Sequence, residues 1–121
     1  MTIYRIIDGK PFVIVSWDTD WYVDQAIRRL TTFRQGNLGI LITELLRVGL
    51  PQLEGLPDPE RAALLVRPLQ MKVRLTGTIP QELDTLIRQH NRDWQVPIYQ
   101  VFTEALKQGL AHRGDEQPES G

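Results

Sequence analysis

A chain of 121 residues, 41% hydrophobic and 24% charged, has the make-up of one globular domain or of two small motifs sharing a core. Its net charge of −1 gives no overall attraction to nucleic acid, so such binding would have to come from local placement of charge. With no cysteine there is neither disulfide nor thiolate chemistry, no apolar run approaches the roughly 20 residues that cross a bilayer, and "MTIYRIIDGK" lacks the pattern of a signal peptide.

In chain order, "IYRIIDGKPFVIV" sets Asp8-Gly9 between two apolar runs and predicts a hairpin involving the N-terminal segment, residues 1–11. Pro11 lacks an N–H and belongs at a strand edge in that reading. "FVIVSWDT", Phe12 to Thr19, alternates in character and predicts a short strand. Asp20 suits the cap of a first helix whose apolar period is Val23, Ala26, Ile27 and Leu30. Gly36 and Asn37 stop that helix and cap a second, Leu38 to Leu50, apolar enough to require burial. Residues 51–71 read as a structured connector in which Asp58-Pro59 opens a short helix and Arg67-Pro68 ends it. "KVRLTGTI", Lys72 to Ile79, predicts another strand, and Pro80 begins a helix with Leu83, Leu86 and Ile87 on its apolar face. Pro97 opens the last helix, Ile98 to His112, and the polar residues 113–121 are expected to be disordered.

The two halves match at a shift of 60 residues. "ITELLRVGL", Ile42 to Leu50, returns as "FTEALKQGL", Phe102 to Leu110. Val13 falls on Val73, Asp24 on Asp84, Ile27 on Ile87, Arg28 on Arg88 and Gln35 on Gln95. Ten identities lie between positions 13 and 50 without a gap, against roughly two or three by chance. Amphipathic helices share leucines for trivial reasons, but that does not account for paired Thr-Glu, Asp and Gln. Residues 12–50 and 72–112 therefore read as two copies of strand–helix–helix. Neither can cover its second helix alone, which predicts one shared core under two antiparallel strands.

This plan, seen most plainly in "VRLTGTIPQELDTLI", resembles the ribbon-helix-helix DNA-binding family of the Arc and MetJ repressors. Asn37 keeps the family's small polar cap before the second helix, and Pro97 departs from it. The resemblance implies a mainly α fold with a short β-ribbon, in which two ribbon-helix-helix motifs in one chain form a monomeric pseudo-dimer. It further implies that the ribbon enters the major groove of double-stranded DNA. The stretch "RIIDGKPFVIVSWDTDWYVDQAIRRL" is also similar to the VirC-type accessory virulence proteins of agrobacterial T-DNA transfer. That likeness implies a bacterial cytoplasmic protein, off the membrane, which assists a relaxase in conjugative DNA transfer, with chains able to pair on neighbouring sites. A transcriptional repressor or antitoxin of the same family, or an interaction module that has lost DNA affinity, are the alternatives.

Strand parity divides the candidate contacts, because successive side chains face opposite ways. Val13, Val15 and Trp17, with Val73, Leu75 and Gly77, suit the face over the helices. Ile14, Ser16 and Asp18, with Arg74, Thr76 and Thr78, then face outward as the base-contacting set. Arg74 suits a bidentate bond to guanine, and the hydroxyls suit donors or acceptors on base edges. Ile14 reads no hydrogen-bond pattern, Asp18 repels phosphates, and Lys72 is expected on a phosphate. The family seats a phosphate at the start of each second helix, which assigns Gly36, Asn37 and Leu38 in one copy and Ile98 and Tyr99 in the other. Arg28 and Arg88 would add charge on the flanks, although a solvated helix surface accounts for them equally well. No catalytic group, metal or cofactor is expected, since His90 and His112 lack ligand or triad neighbours and no phosphate-cradling glycine loop is present. His90 lies in the apolar register of its helix, and Trp17, Trp21 and Trp94 read as core residues.

Overall fold

The computed structural model, which describes residues 4–34 and 37–116, begins at a turn that few residue types accept. Asp8 and Gly9 both have positive φ, 54° and 77°, as a two-residue hairpin turn of the primed kind requires. The turn folds β1 (Tyr4–Ile7) back on β2 (Lys10–Asp20), with Ile7 opposite Lys10 and Tyr4 opposite Val13. Helices α1 (Trp21–Arg34), α2 (Leu38–Glu54) and α3 (Asp58–Leu65) follow, then β3 (Lys72–Pro80), α4 (Gln81–Asp93) and α5 (Ile98–Glu116). The sheet is antiparallel in the order β1-β2-β3. Pro11 is tolerated within β2 because the flanking pair Ile7–Lys10 exchanges the bonds next to the turn. Position 11 therefore faces away from β1, on a side where β3 has already ended, opposite Phe12.

The expected fold class is corrected by these elements. The described residues form five helices and a three-stranded sheet, not two ribbon-helix-helix motifs on a single short β-ribbon. The physical reason is the β1 hairpin: β2 runs two residues further back than Phe12, and the unpaired groups on its free edge take up a third strand. The connector contributes as well, because α3 buries Leu65 to 2% exposure and so belongs to the core. Its helix begins after Pro57, with no side-chain cap, and Asp58 pairs instead with Arg61 at 2.5 Å. Two helices outrun their expected ends: α2 continues through Pro51 to Glu54, burying Leu53 completely, and α5 passes His112 to reach Glu116.

The core lies between the inner face of the sheet and the helices. Val13, Val15, Trp17, Leu75 and Ile79 supply the sheet side, meeting Leu45, Leu46, Phe102 and Leu106 of α2 and α5 in one buried cluster. Trp17 meets Phe102 edge-on at 4.9 Å between ring centres. The axis of the assembly is the contact between α2 and α5, and it is made without side chains at two points. A Cβ on Gly49 would lie 1.8 Å from the Ala105 carbonyl oxygen, and one on Gly109 would lie 2.3 Å from that of Leu45. Only glycine allows the two backbones to approach so closely. These residues are sixty apart and make the same contact from opposite sides.

Candidate functional site

The outward face of β2 and β3 follows from their pairing. Ser16 stands opposite Thr76, and their hydroxyls are hydrogen-bonded at 2.7 Å. On one side of this centre Asp18 faces Arg74 and Asp20 faces Lys72; on the other, Ile14 faces Thr78 and Phe12 faces Pro80. Val13, Val15, Trp17, Leu75 and Ile79 are buried, whereas Lys72, Arg74 and Thr76 are exposed and Ile14, Ser16, Asp18 and Thr78 are partly covered. All six residues expected to contact bases therefore lie on one open face. From Ile14 to Asp20 the sheet is two strands wide, at Phe12 and Val13 β1 makes it three, and at Lys10 and Pro11, beyond the end of β3, it is β1 and β2 alone.

Arg74 does not project freely. Its Nε lies 3.3 Å from Asp18 Oδ1 and its Nη1 donates to the Ser16 carbonyl at 2.9 Å. Lys72 Nζ approaches the other Asp18 oxygen at 3.9 Å. The carboxylate expected to repel phosphates is thus flanked by two cations. An ion pair this exposed contributes about 0–1 kcal/mol, so Arg74 can leave it at little cost.

The positions expected to hold phosphates are more divided. Asn37 caps α2, its Oδ1 accepting from the N–H groups of Gly39 at 2.7 Å and Ile40 at 3.3 Å. That cap occupies donors an anion would otherwise use. Leu38, Ile98 and Tyr99 pack their side chains against the core, and Gly36 lies outside the described residues. Arg28 and Arg88 are each held in an ion pair with the residue four before, Asp24 and Asp84, at 3.0 Å in both cases. The two aspartates are buried, so these repeated polar residues secure α1 and α4 and are not free flank charges.

Three arrangements were not anticipated. Lys107 is bound by two carboxylates that are each 2% exposed, Asp20 at 2.9 Å and Glu104 at 3.3 Å. Asp20 also accepts from the Gln70 N–H at 2.8 Å, so it ties the connector to β2. Burial pushes the Glu104 carboxyl up from its ordinary value, with Lys107 opposing. For Lys107 burial pulls downward, but the bond to Asp20 and the charge of Glu104 outweigh it and leave the amine raised. Secondly, His90 stacks on Trp94 at 4.0 Å and its Nε2 lies 2.6 Å from Glu54, while Arg61 covers the other ring at 4.6 Å. Lastly, Trp21, expected in the core, is 45% exposed beside Tyr22 at 50%.

Comparison with protein-family models, curated proteins and solved structures finds no match to this chain. Among the described residues, no helix is long and apolar enough to cross a membrane.

Proposed function

We propose that the protein binds double-stranded DNA, laying the outward face of β2 and β3 in the major groove. The observation that carries this reading is the open, two-stranded face centred on the Ser16–Thr76 hydroxyl pair, with Arg74, Thr76 and Thr78 along one strand. A major groove about 12 Å wide accepts two strands, and its base edges offer acceptors for an arginine and mixed groups for hydroxyls. A role as an accessory factor in relaxase-dependent DNA transfer rests on the sequence resemblance alone, and a repressor or antitoxin would use the same face. The rival is a protein-interaction module, favoured by the grooves lined by Ile7, Phe12, Arg47 and Pro80 beside the hairpin.

Selection from random duplex DNA, with the wild type and with Arg74→Ala, tests the proposal. The expected motif is not palindromic, and Arg74→Ala relaxes one position of it at a cost of about 1–3 kcal/mol. Failure of the wild type to enrich or retain any duplex at low salt would favour the interaction module.

A further inference from the structure

We infer that the β1 hairpin is a backbone-gripping arm for duplex DNA, with Arg5 and Lys10 as its phosphate contacts. This rests on the DNA-binding proposal and extends it to a second set of residues. The starting point is an imbalance between the two halves of the sheet. At the shift of 60, Lys72 and Arg74 correspond to Phe12 and Ile14, so the matching positions at the other end of the outward face carry no cation. The hairpin supplies two. Arg5 sits directly opposite Phe12 and therefore shares its face, and Lys10 lies two residues before Phe12 on the same side of β2. Both are exposed, and neither has an ion pair among the described residues.

Position follows from the register. Phe12, with Arg5 beside it, is four residues from the Ser16–Thr76 centre, and Lys72 is four residues away in the other direction. At about 3.3 Å per residue Arg5 and Lys72 each stand roughly 13 Å from the centre, and Lys10, two residues further out than Phe12, roughly 20 Å. Width then assigns the contact. Two strands occupy roughly 10 Å and three roughly 14 Å at the usual strand spacing, against a groove about 12 Å wide. Only the stretch from Ile14 to Asp18 can descend to the bases, since Asp20 beyond it is buried. At Phe12 and Val13, where β1 makes a third strand, the sheet must stay at the rim, over the sugar–phosphate wall; there Arg5, beside Phe12, meets phosphate oxygens, and Lys10 follows two residues further along at the hairpin end.

The test compares the full chain with Arg5→Gln/Lys10→Gln, measuring affinity for a random-sequence duplex pool and for the selected motif across a salt series. Two lost phosphate contacts should reduce the slope of log K against log salt by about 1.8, at roughly 0.9 each, and weaken both DNAs alike. Thermal unfolding of the variant should match the wild type, because both side chains are exposed. An unchanged slope while the wild type binds overturns the arm and leaves the DNA-binding proposal standing. A change of sequence preference in place of a change of slope also overturns it, and a wild type that binds no duplex overturns both readings.

Discussion

Gly49→Ala is the substitution whose consequence the structure fixes most tightly. The new Cβ would lie 1.8 Å from the Ala105 oxygen and 2.8 Å from both Ala105 C and Gly109 N, all of them backbone atoms. Real Cβ atoms essentially never come within 3.0 Å, so α2 and α5 must part by about 1.2 Å (3.0 less 1.8). A gap of that size forfeits a quarter or more of each dispersion contact across the crossing. These helices carry Ile42, Leu45, Leu46, Phe102, Ala105 and Leu106, none more than 1% exposed. Overpacking of this kind costs about 3 kcal/mol at the upper end of its usual range, and the better helix propensity of alanine returns about 1 kcal/mol. The net loss is about 2 kcal/mol, or roughly 8 °C in Tm for a chain of this size, measured by calorimetry or by circular dichroism. Gly109→Ala should behave alike, and the double variant should lose less than the sum because both changes part the same two helices. Gly55→Ala is the control: its Cβ would meet nothing closer than 3.4 Å, and Gly55 has a φ of −80°. Equal stability of the Gly49 and Gly55 variants would refute the backbone contact.

Three further outcomes follow from the charges. Lys107→Met strands Asp20 and Glu104, and urea unfolding at neutral pH should show a loss of about 3 kcal/mol or more, as for other broken buried pairs. Because the folded-state pKa of Glu104 is raised, the folded protein binds its proton more tightly, so this group's contribution falls as pH rises from the ordinary carboxyl value through the raised one. Relative to Glu104→Gln, the wild type should therefore lose stability across that window and run parallel to the variant above it. Asp18→Asn releases Arg74 and Lys72, so under the DNA-binding proposal it should tighten binding to random duplex while narrowing the gap to the selected motif.

How far the sequence disclosed this structure depends on whether each signal was local. The hairpin turn at Asp8-Gly9 and the alternation along β2 and β3 were legible, because turn chemistry and period two are properties of adjacent residues. The third strand was not drawn from them: a hairpin was expected, but its addition to the paired strands depends on an edge that only the sheet creates. The paired identities Asp24–Asp84 and Arg28–Arg88 marked positions that matter, and in the structure they form one ion pair within each helix. Helical spacing of four residues could have shown this. The engagement of Arg74 by Asp18 was likewise within reach, since a ladder centred on positions 16 and 76 sets 18 against 74. In the Asp20–Lys107–Glu104 cluster the Glu104–Lys107 pair, three residues apart on α5, was legible from helical spacing, but the link from Lys107 to Asp20 had no such cue. It joins groups far apart in the chain, and positions 20 and 107 have no equivalent pairing in the other half, where Pro80 replaces the aspartate.

Under the DNA-binding proposal, that difference between the halves decides how a site is read. A protein with identical halves presents identical strands and reads a palindrome, because the symmetry of the site mirrors that of the protein. Here the hydroxyl pair at Ser16 and Thr76 is the only cross-strand pair that the shift of 60 maps onto itself chemically. To one side lie a guanidinium, an ammonium and a carboxylate; to the other lie Ile14 and Thr78, with the hairpin beyond them. The first side suits the acceptors of guanine, and the second, whose contacts are methyl groups and a hydroxyl, suits the methyl group of thymine. Under the DNA-binding proposal a single chain can therefore dock in one orientation only, with Arg74 setting the specific end and the wider, basic hairpin end held against the backbone.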